Sequence, residues 1–519
     1  MGEIKPFWIR IASLGNIKYR NTIMHLFRLN LKESIFALLF FMSSIFSFAE
    51  PFLAPNDPFI RHEIRLLGDE GGFDGLQNSW PLDLGRLSSG LQESAYNSEL
   101  LDNRLSDESN SGFSPIYTTL GIADDRVTAR GFGPEPRSSF ATNASVSWMN
   151  DRFATKLSLN AFYAMETDWK GRAEEGFALD GSYIAARLGN WSASFGKQER
   201  WWGPGWDGSL ILSTNGRPIP AISIDRRIPE SFENKWLSWI GPWSFHSFIG
   251  RMEEERTVPN PYLWGMRGEV KPAILGGLEI GFFRMVQLGG DDRPEGFSTW
   301  VDAFLSQDNY GANTGNNNLS NEPGNQLAGI DLRWKVFDAP IALYGQIVGE
   351  DEDKFLPNCL MFQYGIEGWH KFDDSTLRIF VEYADLTSYW WTDDPRTRNI
   401  TYGHHIYNDG YRYRGRPIGH WADQDSQILS FGGVLQTENE IGWGTIIRTG
   451  KLNEDGTGIT SSVSASTLTD YFSLDIFNSR SYQAYELSVN TSFGWESLKP
   501  AGGKTDEGLA GYLTLTRAF

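Results

Sequence analysis

The chain has 519 residues, 14% of them aromatic, and carries 46 basic against 65 acidic side chains for a net charge of −19 at pH 7. So acidic a chain repels phosphate backbones, which argues against a nucleic-acid partner. Its single cysteine, Cys359, excludes an internal disulfide framework. The 55 glycines and 20 tryptophans are an unusual combination for a soluble globular protein.

Residues 1–49 have the layout of a secretory signal peptide with an extended n-region. Basic residues precede an uncharged, largely apolar run from Ser34 to Ala49, which closes on the small-x-small pattern of a cleavage site. Cleavage there would start the mature chain near Glu50, with 40 basic against 63 acidic residues. The long n-region also leaves Met24 as a candidate start. No second long apolar run follows, so we expect export without a helical membrane anchor.

Residues 50–135 predict a small N-terminal helical segment. In NDPFIRHEIRLLGDEGG, Asp57 is an N-cap, Pro58 takes the first helical position and Gly68 is a stop signal. Apolar residues recur between them at helical spacing, namely Ile60, Ile64 and Leu67. A second, shorter helix is predicted for SELLDNRL, residues 98–105. The alternative is an irregular linker.

From residue 136 to the end, short segments with alternating apolar and polar residues recur between turn signals. The clearest are RFATKLSLNAFYAM (152–165), LAGIDLRWKV (327–336) and STLRIFVEY (375–383). In each, the apolar side chains share one face and the charged or polar ones the other. Period-two alternation of this kind indicates β-strands and an all-β fold.

A soluble sandwich would show the same alternation. Aromatic residues near strand ends, and charges that would line a lumen, favour a transmembrane antiparallel β-barrel of the outer membrane. The last strand ends on Phe519 and resembles the recognition signal of such barrels, although Arg517 stands where a hydrophobic residue is usual. At roughly 20 residues per strand and turn, the segment 136–519 predicts between about 16 and 20 strands. The segment 50–135 would then lie in the periplasm, either tucked into the barrel or beside it.

Long loops, which tend to face outward in such barrels, are predicted at 308–324, 350–357, 392–424 and 452–467.

One candidate binding stretch, WWGPGWDGSLILSTNGRPIPAISIDR, covers residues 201–226. Aromatic faces stack on the C–H patches of sugars, while planar polar groups bind sugar hydroxyls and, by paired hydrogen bonds, uronic acids. The candidate binding residues here are Trp201, Trp202, Trp206, Asn215, Arg217 and Arg226. The alternative is that these tryptophans belong to an interfacial aromatic belt.

A second candidate stretch, residues 404–426, interleaves tyrosines with arginines and acids. The candidate binding residues here are Tyr407, Asp409, Tyr411, Arg412, Tyr413, Arg414, Arg416, His420 and Asp425. An aromatic and arginine-rich surface suits polysaccharide better than a catalytic pocket. A metal site is the alternative, but the spacing of the histidines and acids matches no familiar zinc or calcium loop. We therefore predict no metal and no cofactor.

Three blocks resemble the Wzi family of capsule-assembly outer-membrane proteins. They are residues 201–226, YGQIVGEDED at 344–353 and YGHHIYNDGYRYRGRPIGHWADQDS at 402–426. The resemblance implies a barrel of 18 strands with a small periplasmic helical bundle. It also implies non-enzymatic binding of capsular or similar exopolysaccharide, which is thereby attached or assembled at the cell surface. We expect a monomer that contacts outer-membrane lipid and uses the barrel-assembly machinery during biogenesis.

Two other functional classes stay open from the sequence. A glycoside hydrolase would need two carboxylates across the scissile bond, and Glu199 with Asp207 or the acids at 350–352 are candidates. An outer-membrane porin or polysaccharide export channel would use the lumen charges to tune selectivity. A filled lumen would favour surface binding, and an open lumen would favour a channel.

Overall fold

The computed structural model describes residues 51–91, 111–124, 129–165, 176–304, 324–353, 356–389, 401–438, 441–454 and 465–519. Within these residues no helix is long and apolar enough to cross a membrane. The α-helices are α1 (Pro58–Asp69), α2 (Leu84–Gly90) and α3 (Phe297–Phe304). The strands are β1 (Phe52–Leu53), β2 (Ser79–Trp80), β3 (Leu82–Asp83), β4 (Gly112–Phe113), β5 (Tyr117–Ala123), β6 (Ser138–Met149), β7 (Phe153–Met165), β8 (Gly176–Ala178), β9 (Tyr183–Leu188), β10 (Trp191–Gly196), β11 (Trp201–Trp202), β12 (Ala221–Arg226), β13 (Trp243–Arg251), β14 (Tyr262–Val270), β15 (Leu278–Leu288), β16 (Gly324–Lys335), β17 (Ile341–Asp353), β18 (Leu356–Lys371), β19 (Ser375–Tyr389), β20 (Arg412–Tyr413), β21 (Arg416–Pro417), β22 (Gln427–Thr437), β23 (Ile441–Leu452), β24 (Thr469–Tyr482), β25 (Leu487–Pro500) and β26 (Asp506–Ala518).

Most of these strands close into one antiparallel barrel. The short strands β4 and β5 pair with successive parts of β6, and β8 and β9 pair with successive parts of β7. Each couple is one interrupted strand, so the barrel has 18 strand positions. The last strand closes the barrel against β5, with Tyr512 opposite Ala123 and Ala518 opposite Tyr117. The predicted all-β class and the predicted size are confirmed.

The predicted alternation is that of the barrel wall. On β7 the outward Phe153 and Leu157 are about half exposed, whereas the inward Ser158 is buried. On β16 and β19 the inward Asp331 and Arg378 are buried as well. Apolar side chains therefore face outward and polar or charged ones face the lumen, as membrane-spanning barrels require.

The two ends of the barrel differ, and we name them by their connections. The short-turn end carries tight turns such as 150–152 and 372–374, and the long-loop end carries connections such as 197–220 and 401–426. Exposed aromatic rings border both ends, among them Trp236, Phe337 and Tyr485 at the short-turn end and Tyr163 and Phe177 at the long-loop end. Aromatic residues at both rims are typical of the two membrane interfaces.

The predicted first helix is confirmed as α1. Asp57 caps it, because its Oδ1 accepts hydrogen bonds from the backbone N–H groups of Phe59 (2.9 Å) and Ile60 (3.1 Å). The helix lies inside the barrel towards the short-turn end, where Arg65 contacts Glu367 of β18. The sequence did not predict α2, and the second predicted helix, residues 98–105, falls outside the described residues.

Two boundaries differ from the sequence interpretation. The barrel already includes β4 and β5, which the sequence had assigned to the segment 50–135. The inward positions of β5 include Tyr117, Thr119 and Gly121 instead of charges, so its alternation is weak. The acidic stretch 350–357 was predicted as a loop, but β17 and β18 extend into it and pair Asp351 with Asn358. Charge alone misled the prediction there, because strands can extend beyond a barrel rim with polar residues.

Candidate functional site

The two stretches singled out by the sequence meet inside the barrel. The 197–220 loop connects β10 to β12, and the 401–426 loop precedes β22. Asn215 Nδ2 donates to the carbonyl oxygen of Pro417 at 2.9 Å, and Arg416 Nη1 donates to Asn215 Oδ1 at 3.0 Å. Tyr411 Oη donates to the carbonyl oxygen of Ile211 at 2.8 Å. The fold therefore joins two candidate clusters about 200 residues apart in sequence into one structure.

The three tryptophans of the 197–220 loop form the centre of this structure. Trp201, Trp202 and Trp206 are 0%, 2% and 3% exposed, respectively. Two of them lie beside cations of α1: the Arg61 guanidinium lies 5.3 Å from the Trp201 ring centre and 4.9 Å from that of Trp206. Arg65 lies 4.7 Å from the Trp206 ring centre. The rings lie in the lumen rather than in an interfacial belt, and protein atoms cover the faces predicted to stack on sugars. Sugar stacking by these rings stays a prediction.

The Gly-Pro-Gly turn supplies backbone oxygens to the same cations. Arg65 Nη2 donates to the carbonyl oxygen of Pro204 at 2.6 Å, and Arg61 Nη2 donates to that of Gly203 at 3.3 Å. Gly203 has φ +136°, which disfavours any residue with a side chain. A Cβ atom on Gly205 would lie 2.2 Å from the Gly208 oxygen. Glycine is thus required where the backbone closes around α1.

Asp207 connects the loop to the barrel wall. Its carboxylate accepts from Arg448 Nε and Ser430 Oγ, each at 2.7 Å, and from Trp421 Nε1 at 3.3 Å. Asp207 and these three partners are all buried. A paired, hydrogen-bonded carboxylate of this kind is the form in which a buried charge is tolerated.

The 401–426 loop is held by its own ion pair. Arg412 Nε donates to Asp423 Oδ2 at 3.0 Å and Arg412 Nη2 to Asp423 Oδ1 at 2.7 Å, which is a bidentate arrangement. Asp409 Oδ2 accepts from the Thr257 N–H at 2.5 Å, and Tyr407 Oη donates to the Gly289 carbonyl oxygen at 2.9 Å. These contacts tie the loop to neighbouring connections at the long-loop end.

The structure buries most of the predicted binding residues and leaves four half-buried. The buried ones are Trp201, Trp202, Trp206, Asn215, Tyr407, Asp409, Tyr411, Arg412, Tyr413, His420 and Asp425. The half-buried ones are Arg217, Arg226, Arg414 and Arg416.

Arg226 is separated from the other predicted residues. It ends β12 at the short-turn end, where its Nη1 donates to the Trp243 carbonyl oxygen at 2.8 Å. Its guanidinium lies 3.7 Å from the Trp243 ring centre. The remaining half-buried arginines belong to the connections of the long-loop end, so Arg226 is not brought together with them.

Arg217 belongs to a cluster of ion pairs that the sequence did not reveal. Arg217 Nε lies 2.8 Å from Asp180 Oδ2, and Lys197 Nζ lies 3.3 Å from Asp180 Oδ1. Arg137 Nη2 lies 3.2 Å from Glu199 Oε1. Burial raises the pKa of Glu199, and the charge of Arg137 opposes that rise. These residues come from three separate connections, so no local motif could have shown the cluster.

A cavity of about 590 Å³ lies beside these ion pairs, along the wall formed by β5–β7 and β24–β26. Its lining is rich in hydroxyl and amide groups, including those of Thr119, Asn143, Asn160, Asn490 and Thr516. Arg137 and Glu199 border it. The cavity is a part of the lumen that the described residues of α1 and the loops leave unfilled.

Comparison with known proteins gives consistent matches. Residues 113–498 match the family model of capsule assembly protein Wzi. A Klebsiella pneumoniae protein described as an uncharacterized 55.8 kDa protein in the cps region is 32% identical over 414 residues, which cover 77% of each chain. An Escherichia coli structure is described as Wzi, an outer membrane protein involved in group 1 capsule assembly and a carbohydrate-binding β-barrel. It is 26% identical and has a TM-score of 0.77, covering 91% of this chain and 100% of its own.

Proposed function

Because the chain belongs to the Wzi family of capsule assembly proteins, we propose that it binds capsular or similar exopolysaccharide and helps attach or assemble it at the cell surface. The related Escherichia coli protein is described as a carbohydrate-binding barrel. The long-loop end would face outward and carry the binding surface, since long loops do so in barrels of this class.

The observation that carries the proposal is that the two joined loops bring half-buried arginines to the long-loop end of the barrel. Arg416 is fixed by Asn215, and Arg414 Nε contacts Tyr413 Oη at 3.3 Å. Arg217 is fixed by Asp180. Pre-positioned guanidinium groups suit carboxylates of uronic acids, because they bind both oxygens at once with little loss of rotamer entropy. The buried tryptophans would then support the binding surface by holding the loops in place.

Binding would proceed without chemistry on the polymer. The first pair of carboxylates considered for a glycosidase is engaged in ion pairs: Glu199 pairs with Arg137, and Asp207 pairs with Arg448. A general acid or nucleophile must reach the glycosidic bond. Asp207 is fully buried and cannot offer that reach, and the half-buried Glu199 is held by Arg137 without a second free carboxylate from this pair.

Export and assembly belong to the same proposal. The basic and apolar layout of residues 1–49 supports cleavage by a signal peptidase. The closed barrel leaves no unpaired strand edge for a second copy to pair with, which supports function as a monomer. Its closure also supports insertion into outer-membrane lipid by the barrel-assembly machinery.

Binding of detergent-purified protein to surface polysaccharide from the same cells tests the proposal. We expect Arg217→Ala with Arg414→Ala to weaken binding about ten- to hundredfold, the cost of losing charge-assisted hydrogen bonds. Arg226→Ala is the matched control, because this arginine lies at the opposite end of the barrel. Equal binding by the double variant and the parent protein, or no binding by the parent protein, would overturn the proposal.

A further inference from the structure

Within the described residues, the outer wall of the barrel has a patch that another part of the chain covers. Along β15 the outward positions are Phe282, Arg284, Val286 and Leu288. Phe282 is 50% exposed, as expected on a lipid-facing wall, whereas Val286 and Leu288 are 0% exposed. Ala303 of α3 belongs to the same buried apolar cluster as these two residues. The helix therefore lies on the outside of the barrel, near the long-loop end.

Aromatic rings and one hydrogen bond fix α3 on the wall. The outward ring of Trp264 on β14 lies 5.7 Å from the Trp300 ring and 5.8 Å from the Phe304 ring, centre to centre. Arg284 Nη1 donates to the Phe304 carbonyl oxygen at 2.9 Å. An arginine on the outward face of a strand is costly in lipid, and here it binds the C-terminal end of a helix, where cations are favoured.

The eight residues of α3 divide into three sides at about 100° per residue. Thr299 and Ala303 face the wall, Phe297, Val301 and Phe304 form an exposed apolar side, and Ser298 and Asp302 form a polar side. Trp300 lies between the wall side and the apolar side. Phe297 is 85% exposed and Phe304 is 54% exposed. Two exposed phenylalanines on one short helix need an apolar partner.

We propose that α3 is an interfacial helix whose exposed apolar side is buried among the acyl chains of outer-leaflet lipid. The continuity of this side with the lipid-facing barrel wall identifies lipid as the partner, and the polar side then faces the aqueous surface. This inference rests on the barrel lying in a membrane with its long-loop end outward, as proposed above, and is independent of polysaccharide binding.

The helix also connects the bilayer to the candidate site. The strand β15 ends at Leu288, and the next residue, Gly289, accepts the hydrogen bond from Tyr407 Oη. Gly290 N then donates to Glu295 Oε1 at 3.0 Å in the turn that leads to α3. A helix held in lipid thereby fixes the height of the 401–426 loop above the membrane surface.

Single-cysteine labelling in lipid nanodiscs tests this position. In a Cys359→Ala background, Phe297→Cys and Val301→Cys place a polarity-sensitive fluorophore on the apolar side. Ser298→Cys on the polar side of the same helix is the control. Val301→Cys keeps both phenylalanines, so the test does not depend on removing one. Correct folding of each variant is checked by its heat-dependent gel mobility.

We expect the probes at 297 and 301 to emit at shorter wavelength than the probe at 298. A nitroxide placed on lipid acyl chains should quench the probes at 297 and 301 several-fold more strongly than the probe at 298. Aqueous iodide should quench the probe at 298 more strongly than the other two. If the probes at 297 and 301 respond to both quenchers as the probe at 298 does, the helix is exposed to water and the proposal is wrong. Polysaccharide binding by the same variants is measured separately and does not bear on this outcome.

Discussion

His420 shows how burial sets the charge of a single side chain in the candidate site. It is 1% exposed, and its Nδ1 accepts from the Ala422 N–H at 3.2 Å, so this nitrogen carries no proton. Burial lowers the pKa of His420 from 6.5 to about 4; the charge of Asp207 opposes this shift and that of Arg448 adds to it. The imidazole is therefore neutral throughout the physiological pH range.

This neutral histidine predicts a loss of stability in acid. Between pH 6.5 and about 4 the unfolded chain binds a proton at His420 that the folded chain does not bind. Stability is therefore fully present above pH 6.5 and falls as the pH drops towards 4. In His420→Gln the side-chain oxygen can still accept from Ala422, and we expect a flatter fall in melting temperature over this range. Parallel pH profiles for the parent protein and the variant would contradict the prediction.

At this scale the sequence shows which residue types are concentrated in the two candidate stretches, but not which residues they contact. Aromatic residues close in sequence to arginines are typical of a sugar-binding site. The same residues are also typical of tryptophans that stack on arginines inside the protein. Trp201 and Arg61 are 140 positions apart, and no local pattern shows that they meet. Whether the tryptophan faces also serve sugars stays a prediction.

At the scale of elements, the strands of the wall were easier to predict than the packing of the helix and loops that contact them from inside the lumen. The alternation of β7, β16 and β19 is strong because lipid and lumen demand opposite chemistry on the two faces. The first barrel strand lacks inward charges and was missed, and α3 is too short for a helical pattern to be distinguished. The N-cap at Asp57 was visible because capping is local chemistry. Packing of α1 against residues 300 positions away leaves no such local trace.

The C-terminal end of α1 depends on one carboxylate. Asp69 lies 2.8 Å from Arg333 on β16 and 2.8 Å from Arg378 on β19, and all three residues are buried. Both arginines also contact Glu367, as does Arg65, so Asp69→Ala leaves three cations to share one anion. Breaking a buried pair in this way costs about 3 kcal/mol or more, roughly a hundredfold in the local opening equilibrium.

We therefore expect the amide hydrogens of α1 to exchange roughly a hundredfold faster in Asp69→Ala, while those of the barrel strands are unchanged. The neighbouring variant Glu70→Ala is a matched control, because the Glu70–Lys371 pair is over one-third exposed on both sides. Such pairs contribute at most about 1 kcal/mol. Equal exchange rates in the two variants would show that Asp69 does not anchor the helix.

For the whole molecule, the arrangement of the lumen decides between surface binding and conduction. The helix α1 contacts β16, β18 and β19 from inside, and the 197–220 loop meets it from the long-loop end. Buried ion pairs hold both elements in the lumen: Asp69 fixes α1 to the wall, and Asp207 fixes the 197–220 loop to it. A filled lumen is compatible with a binding protein and opposes an open porin, although a cavity of about 590 Å³ remains along one wall.

Single-channel recording in planar bilayers checks this assignment. We expect little steady conductance from the parent protein, since ions would have to pass between α1 and the loops it contacts. Asp69→Ala loosens α1 without changing the wall strands, so this variant should show more frequent openings, and Glu70→Ala should behave like the parent protein. Robust steady conductance in the parent protein would favour the porin or export-channel alternative. The buried arginines would then line a conducting pathway, and the polysaccharide proposal would have to rest on the binding measurement alone.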